Sequence, residues 1–206
     1  MESISSTPER TRQERVLSVA LEVFGRYGFR KTSMDEVARS ADISRQGLYL
    51  YFASKEALFR AAVRHELETA LGDASCCLAE EGAALGQRVV AALDAWLGRY
   101  VGSMLASDIA GLLQNPAVQL GDMVDAASGA FDARLAAAVA AATAEEDRQR
   151  LGVTPEEIAA TLHTVGQGAK YLSTSRGESR AEFVARVSAA VRVVLAGLGS
   201  ADWRAA

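Results

Sequence analysis

The stretch Phe29-Arg30-Lys31-Thr32-Ser33-Met34-Asp35-Glu36-Val37-Ala38-Arg39-Ser40-Ala41-Asp42-Ile43-Ser44-Arg45-Gln46-Gly47-Leu48-Tyr49-Leu50-Tyr51-Phe52-Ala53-Ser54-Lys55-Glu56-Ala57-Leu58-Phe59-Arg60 contains three helix starts in close succession. Ser33-Met34-Asp35-Glu36 is a capping box: the serine hydroxyl and the glutamate carboxylate satisfy N–H groups that the first turn of a helix leaves without partners. Val37 and Ala38 follow as a buried face. Ala41-Asp42-Ile43 makes a turn, and aspartate tolerates the left-handed backbone such a turn requires. Ser44 caps a second short helix, Arg45 to Tyr51, and Ser54-Lys55-Glu56 opens a long one through Leu58, Phe59, Ala62, Val63, Leu67 and Leu71.

Upstream, Val16, Leu17, Ala20, Leu21, Phe24 and Tyr27 fall on one face at helical spacing. This predicts a first helix ending near Tyr27, with Gly28 as its cap. The segment Met1 to Pro8 is polar and expected to fray.

Two short helices joined by a tight turn have the geometry of a helix-turn-helix, whose second helix enters a DNA major groove. The outward residues of that helix are Arg45, Gln46 and Gly47, and the inward one is Leu48. Gly47 has no side chain to hold the backbone away from DNA. Tyr49 and Tyr51 offer hydroxyls to phosphates. Lys55 adds a charge where a helix N-terminus already favours an anion.

At these residues the chain resembles the TetR family of bacterial transcriptional regulators. The resemblance rests on Thr32-Ser33, Ala41, Gly47-Leu48-Tyr49-Leu50-Tyr51-Phe52 and Lys55-Glu56-Ala57-Leu58, and covers residues 12 to 60. One departure is Asp42, where the family commonly has glycine. The resemblance implies contacts to double-stranded operator DNA from Thr32, Ser33, Ser44, Arg45, Gln46, Gly47, Tyr49, Tyr51 and Lys55. It also implies a homodimer and a small-molecule effector held by the C-terminal helices, whose binding releases the DNA.

Composition agrees with an all-α fold of about nine helices: alanine and leucine are abundant, there are three prolines, and no alternating β-branched run suggests a strand. The expected division is a three-helix head at residues 9–53 and a larger helical body at 54–200. Residues 1–60 hold ten Lys/Arg against eight Asp/Glu, a net of +2, so the remainder carries −6 of the total −4. A basic head can meet phosphates beside an acidic body because charges are screened beyond a Debye length of about 8 Å.

The run Leu135 to Ala142 is too short to cross a bilayer. Met1 to Glu9 has neither a basic region nor an apolar core of a signal peptide. Cys76 and Cys77 are adjacent, which suits neither a disulfide framework nor a metal site. A reduced, cytoplasmic setting is expected, with no cofactor. His65-Glu66 begins like a zinc-protease motif, but Thr69 occupies the place of the second histidine.

In the body, Val89, Val90, Leu93, Trp96, Leu97, Tyr100, Val101, Met104 and Leu105 form a broad apolar stripe. Asn115-Pro116 breaks the chain, and Met123, Val124, Ala127, Phe131 and Leu135 predict another helix. Glu145 to Arg150 reads as a charged loop, and Thr154-Pro155-Glu156-Glu157 as a strong helix start. Trp96, Tyr100, Met104, Met123, Phe131, His163 and Gln167 are the candidate ligand-binding residues, each also readable as plain core. Gly166-Gln167-Gly168 follows no strand and reads as close helix packing. The acidic body gives no reason to favour an anionic effector, and a neutral or cationic apolar molecule is expected.

Two heptad-like seams close the chain, Ile158-Leu162-Val165-Ala169-Leu172 and Val184-Val187-Val191-Val194-Leu198. They suit either an internal core or a four-helix dimer interface. The reading to set against a regulator is an all-helical enzyme or small-molecule carrier that keeps the N-terminal corner for structure, although no pair of titratable residues has a recognisable catalytic spacing. A DNA-binding protein that answers to a partner protein is a third.

Overall fold

The structure is a computed structural model that describes residues 6–101 and 120–198, with side chains from Arg12 onward. Nine α-helices lie among the described residues, with no strand. They are α1 Ser6–Tyr27, α2 Met34–Ser40, α3 Arg45–Tyr51, α4 Lys55–Leu78, α5 Leu85–Trp96, α6 Gly121–Ala142, α7 Glu145–Leu151, α8 Pro155–Arg176 and α9 Arg180–Gly197. A single 3-10 turn, Gly98–Tyr100, follows α5. None of the described helices is long and apolar enough to cross a membrane. The chain forms two compact units, one holding residues up to 68 with 120–124, the other 69–101 and 125–198.

In the first unit the expected caps are made. Gly28 ends α1 at φ 79°. Ser33 accepts from the Glu36 N–H while the Glu36 carboxylate accepts from the Ser33 N–H at 2.8 Å. Asp42 takes the left-handed conformation at φ 54°. Ile43 N–H then reaches the Ala38 carbonyl at 3.0 Å and Asp42 N–H that of Arg39 at 3.3 Å, the two bonds of a Schellman closure. This is why a glycine suits the position and an aspartate is tolerated there. Phe24, Phe29 and Phe59 meet with centroids 4.9–5.8 Å apart and, with Val16, Ala20, Val37, Leu48 and Leu58, form the core that fixes the angle of α3. α1 begins at Ser6, so the expected polar lead-in through Pro8 is partly helix.

In the second unit, Phe183, Val187, Val191 and Leu195 make the buried stripe of α9, against α8 and α5. The stripe advances by four residues each time, so Val184 and Val194 of the expected seam sit half-buried at its edges. On α8 the buried face is Ile158, Ala159, Leu162, His163, Gly166, Ala169 and Ser173. It is rotated away from Val165, which is half-buried, and from Leu172, which is exposed. A Cβ at Gly166 would lie 2.9 Å from Leu97 and 3.0 Å from Leu93, so this glycine is a close-packing residue; Gly168 has open space.

The charged stretch from Glu145 is a helix and not a loop. Its acids, Glu145, Glu146 and Asp147, lie in the first turn and its basic residues, Arg148 and Arg150, in the last, as a helix dipole favours. Gly152 closes it at φ 65°.

The α8–α9 turn is held by Glu178. Its carboxylate accepts from Arg186 at 2.7 Å and from Ser173 Oγ at 2.9 Å, and these bonds hold it below the usual carboxylate range. Arg180 grips Asp94 through two bonds, 2.7 and 2.9 Å, tying α9 to α5.

Candidate nucleic-acid interface and effector site

α3 divides cleanly into two faces. Leu48 is fully buried in the head, and Arg45, Gln46, Tyr49 and Leu50 are exposed. The helix holds this attitude because Ser44 Oγ accepts from the Gly47 N–H at 3.0 Å, and Phe52 caps the other end. A Cβ at Gly47 would sit 3.1 Å from that Ser44 hydroxyl. Glycine here therefore protects the cap as well as leaving the outer face low.

Arg45 is not free in solution. Its guanidinium donates to Asp35 Oδ2 at 3.0 Å and lies 5.6 Å from the Tyr49 ring centroid. Exposed pairs of this kind contribute about 0–1 kcal/mol, so a better acceptor can displace Asp35. Lys55 donates to the Phe29 carbonyl at 2.9 Å and rests 4.6 Å from the Phe29 ring centroid. It pins the start of α4 to the loop after α1, with part of its donor capacity already engaged. Thr32 is 2% exposed and donates to the Gly28 carbonyl at 2.9 Å, so its hydroxyl faces the head. Ser33 is exposed and occupied by Glu36, and Tyr51 is half-buried beside Phe52.

Leu50, 86% exposed on the outer face of α3, went unremarked in the sequence. Its signal was an apolar residue among polar ones on a helix whose inward position was already filled by Leu48.

Of the candidate ligand residues, four meet in the second unit. Trp96 stacks on Phe131 with centroids 5.2 Å apart and planes at 9°, and Phe131 meets the His163 ring edge-on at 5.0 Å. Trp96 Nε1 donates to His163 Nε2 at 3.2 Å, and the Gln167 amide nitrogen is 3.1 Å from the same atom. An indole N–H is a donor only, so His163 Nε2 accepts and Nδ1 carries the hydrogen that goes to Asp132 Oδ1 at 2.6 Å. Both imidazole nitrogens are thus engaged within the protein.

Tyr100 lies apart from this cluster, against Lys170. Met123 packs on the core of the first unit. Met104 is outside the described residues. Asp132 gave no linear signal, because nothing in the sequence says that it faces a histidine thirty-one positions away. Among the described residues no group of three His, Cys, Asp or Glu side chains is placed to hold a metal.

A short exposed helix following a capped helix and a left-handed turn has the geometry of a helix-turn-helix. Residues 16–62 match the family described as bacterial regulatory proteins, tetR family. RutR, an HTH-type transcriptional regulator of Escherichia coli (strain K12), is 35% identical over 71 residues, 32% of this chain and 34% of RutR. The chain therefore spans about a third of the length of the curated relatives it matches. A TetR-like transcriptional regulator from Rhodococcus sp. RHA1 has TM-score 0.60 at 24% identity, over 91% of this chain and 96% of its own. FadR from Bacillus subtilis, in complex with stearoyl-CoA, has TM-score 0.65 at 13% identity, over 89% and 97%. The TetR match is confined to residues 16–62, and the chain as a whole has the fold of TetR-like regulators.

Proposed function

We propose that this protein is a homodimeric, cytoplasmic DNA-binding repressor, released from a palindromic operator by a small molecule. The observation that carries this reading is the outer face of α3. Arg45 and Gln46 stand exposed at the start of a helix whose orientation is fixed by the buried Leu48 and the Ser44 cap. Residues 9–53 serve as the reading head, and 54–200 as the effector-binding and dimerisation part. α4 begins directly after the head and continues into the second unit, so it is the element through which effector binding acts. FadR carries its ligand on the same fold, which supports an effector site here. One reading helix covers too few base pairs for genomic specificity, which supports a dimer.

Fluorescence anisotropy with DNA from beside the protein's own gene tests this. Arg45→Ala or Gln46→Ala is expected to weaken the cognate operator by about 1–3 kcal/mol and to relax base preference. Lys55→Ala is expected to weaken all sequences alike, because Lys55 fixes the head and reads no base. If Lys55→Ala changes the preference between operators and Arg45→Ala does not, the assignment is wrong.

Asp35 supplies a second check. Asp35→Ala removes a negative charge beside the reading helix and frees Arg45. It is expected to tighten binding to random DNA more than to operator, by up to about 1 kcal/mol. An unchanged ratio of the two affinities would show that the ion pair plays no part in selection.

A further inference from the structure

Along one edge of α8, at spacings of four, three and four residues, stand His163, Gln167, Lys170 and Thr174. The first two belong to the closed cluster with Trp96 and Asp132. The last two are unsatisfied. Lys170 is half-buried, with its ammonium 5.0 Å from the Tyr100 ring centroid, and among the described residues no carboxylate pairs with it. Burial pushes its ammonium below the ordinary lysine value.

Thr174, one turn further on, has a buried hydroxyl oxygen with no hydrogen-bond partner. Helical threonines ordinarily donate to the carbonyl four residues back. Thr161 does so here, reaching Glu157 at 2.7 Å, and Thr143, just past the end of α6, reaches Val139 at 2.7 Å. Thr174 does not. An uncompensated ammonium and an orphan hydroxyl on adjacent turns both weaken the fold unless something outside the described chain meets them.

We propose that Lys170 and Thr174 form the recognition pair of the effector site, and that they take an oxyanion, a carboxylate or a phosphate, carried on a small apolar body. This rests on the effector reading above and names the chemistry of its ligand. It reverses the expectation of a neutral or cationic effector drawn from the acidic composition. That composition is a sum over the body, whereas a ligand meets the local field, and the local field at Lys170 is positive and partly desolvated. The ammonium supplies the charge, Thr174 donates a hydrogen bond, and the Tyr100 ring offers an apolar wall beside them. The His163 cluster, further back along α8, has both ring nitrogens engaged within the protein and offers none to a ligand.

The test uses the full chain with phenylacetate, phenyl phosphate and the neutral isostere phenylacetamide, followed by calorimetry and thermal melts. At least one anion is expected to bind roughly 10- to 100-fold more tightly than phenylacetamide, the range of a charge-assisted bond. Which anion binds separates carboxylate from phosphate. Lys170→Met should abolish the preference and Lys170→Arg should keep most of it. Thr174→Val should weaken the anion about 3- to 10-fold. Without ligand, Lys170→Met is expected to melt about 2–4 °C higher, since it removes a half-buried ammonium that no carboxylate pairs among the described residues.

Failure of every anion to bind or to raise the melting temperature of the wild type above that of Lys170→Met overturns the proposal. Equal binding of phenylacetamide and the anions overturns it too, while leaving an effector site in place. A dimer weakened by Lys170→Met, with no anion effect, would assign the ammonium to a carboxylate of a second copy and also overturn it. Anion binding that leaves operator affinity unchanged would uphold the site and remove the effector role proposed for the body.

Discussion

Val193→Glu is expected to yield a folded monomer that has lost operator binding, and Val191→Glu a chain that does not fold. The two valines are two residues apart on α9 and face opposite ways. Val191 is 1% exposed, within the stripe that packs on α8 and α5. A carboxylate there is buried without a partner, at a cost of several kcal/mol against a total stability of about 5–15. Val193 is 74% exposed, and Ala185, Ala189 and Ala196 share its outer face. On α8, Tyr171 is 73% exposed, near Thr164, Gly168 and Leu172 on that helix's outer side.

Under the proposed dimer these outer faces meet their two-fold copies, and the small residues let helices approach. Glutamate at Val193 would then bring like charges together across the axis. Losing the second head removes its avidity, so operator affinity is expected to fall by roughly 10²–10⁴. Light scattering at micromolar concentration and circular dichroism read the two outcomes. A Val193→Glu protein that remains a dimer would place the interface elsewhere.

Trp96→Ala is expected to lower stability by about 3–5 kcal/mol, the range for emptying a buried tryptophan site. Trp96 is 5% exposed, stacked on Phe131, and bonded to His163. Its removal leaves a cavity and takes one of the two donors from His163 Nε2. Trp96→Phe keeps most of the volume and loses only the N–H, so a loss of about 1–2 kcal/mol is expected. Urea denaturation followed by circular dichroism measures both. If Trp96→Ala keeps its stability within about 1 kcal/mol and loses only the response to effector, Trp96 is a wall of the ligand site and not part of a structural cluster.

The head was legible because its rules are local. Ser33 with Glu36, Asp42, Ser44 and Ser54 each settle a turn or a helix start within a few residues, and the structure puts each boundary beside them. The body was legible only in outline. Its helices are strongly patterned, but alanine and valine are so common that more than one helical face looks apolar. On α9 the expected seam shares Val187, Val191 and Leu198 with the buried residues, but it names the half-buried Val184 and Val194 where Phe183 and Leu195 pack. The segment from Glu145 differs from the expected loop because polarity alone does not distinguish loop from surface helix, whereas the order of its charges, acids first and basic residues last, favours a helix.

Side-chain partners were the least legible. Thr32 and Lys55 look available in the sequence, and their engagement by the Gly28 and Phe29 carbonyls depends on how the chain returns on itself. Lys170 was accessible to a careful helical projection. Ile158, Leu162, Gly166, Ala169 and Ser173 fix the inner face of α8, and Lys170 falls at its margin.

Under the proposed function, the Arg45–Asp35 pair gains a kinetic meaning, since a repressor must search a genome. A reading arginine with no acceptor of its own would cling to every stretch of DNA it crossed and slow its own sliding. Here the guanidinium has a resting place on the neighbouring carboxylate. Random sequence must compete with Asp35 for it, while a guanine with two acceptors in line can win. If Arg45 reads DNA as proposed, Asp35 is a built-in competitor that shortens each stop at a wrong site and leaves long residence to the operator.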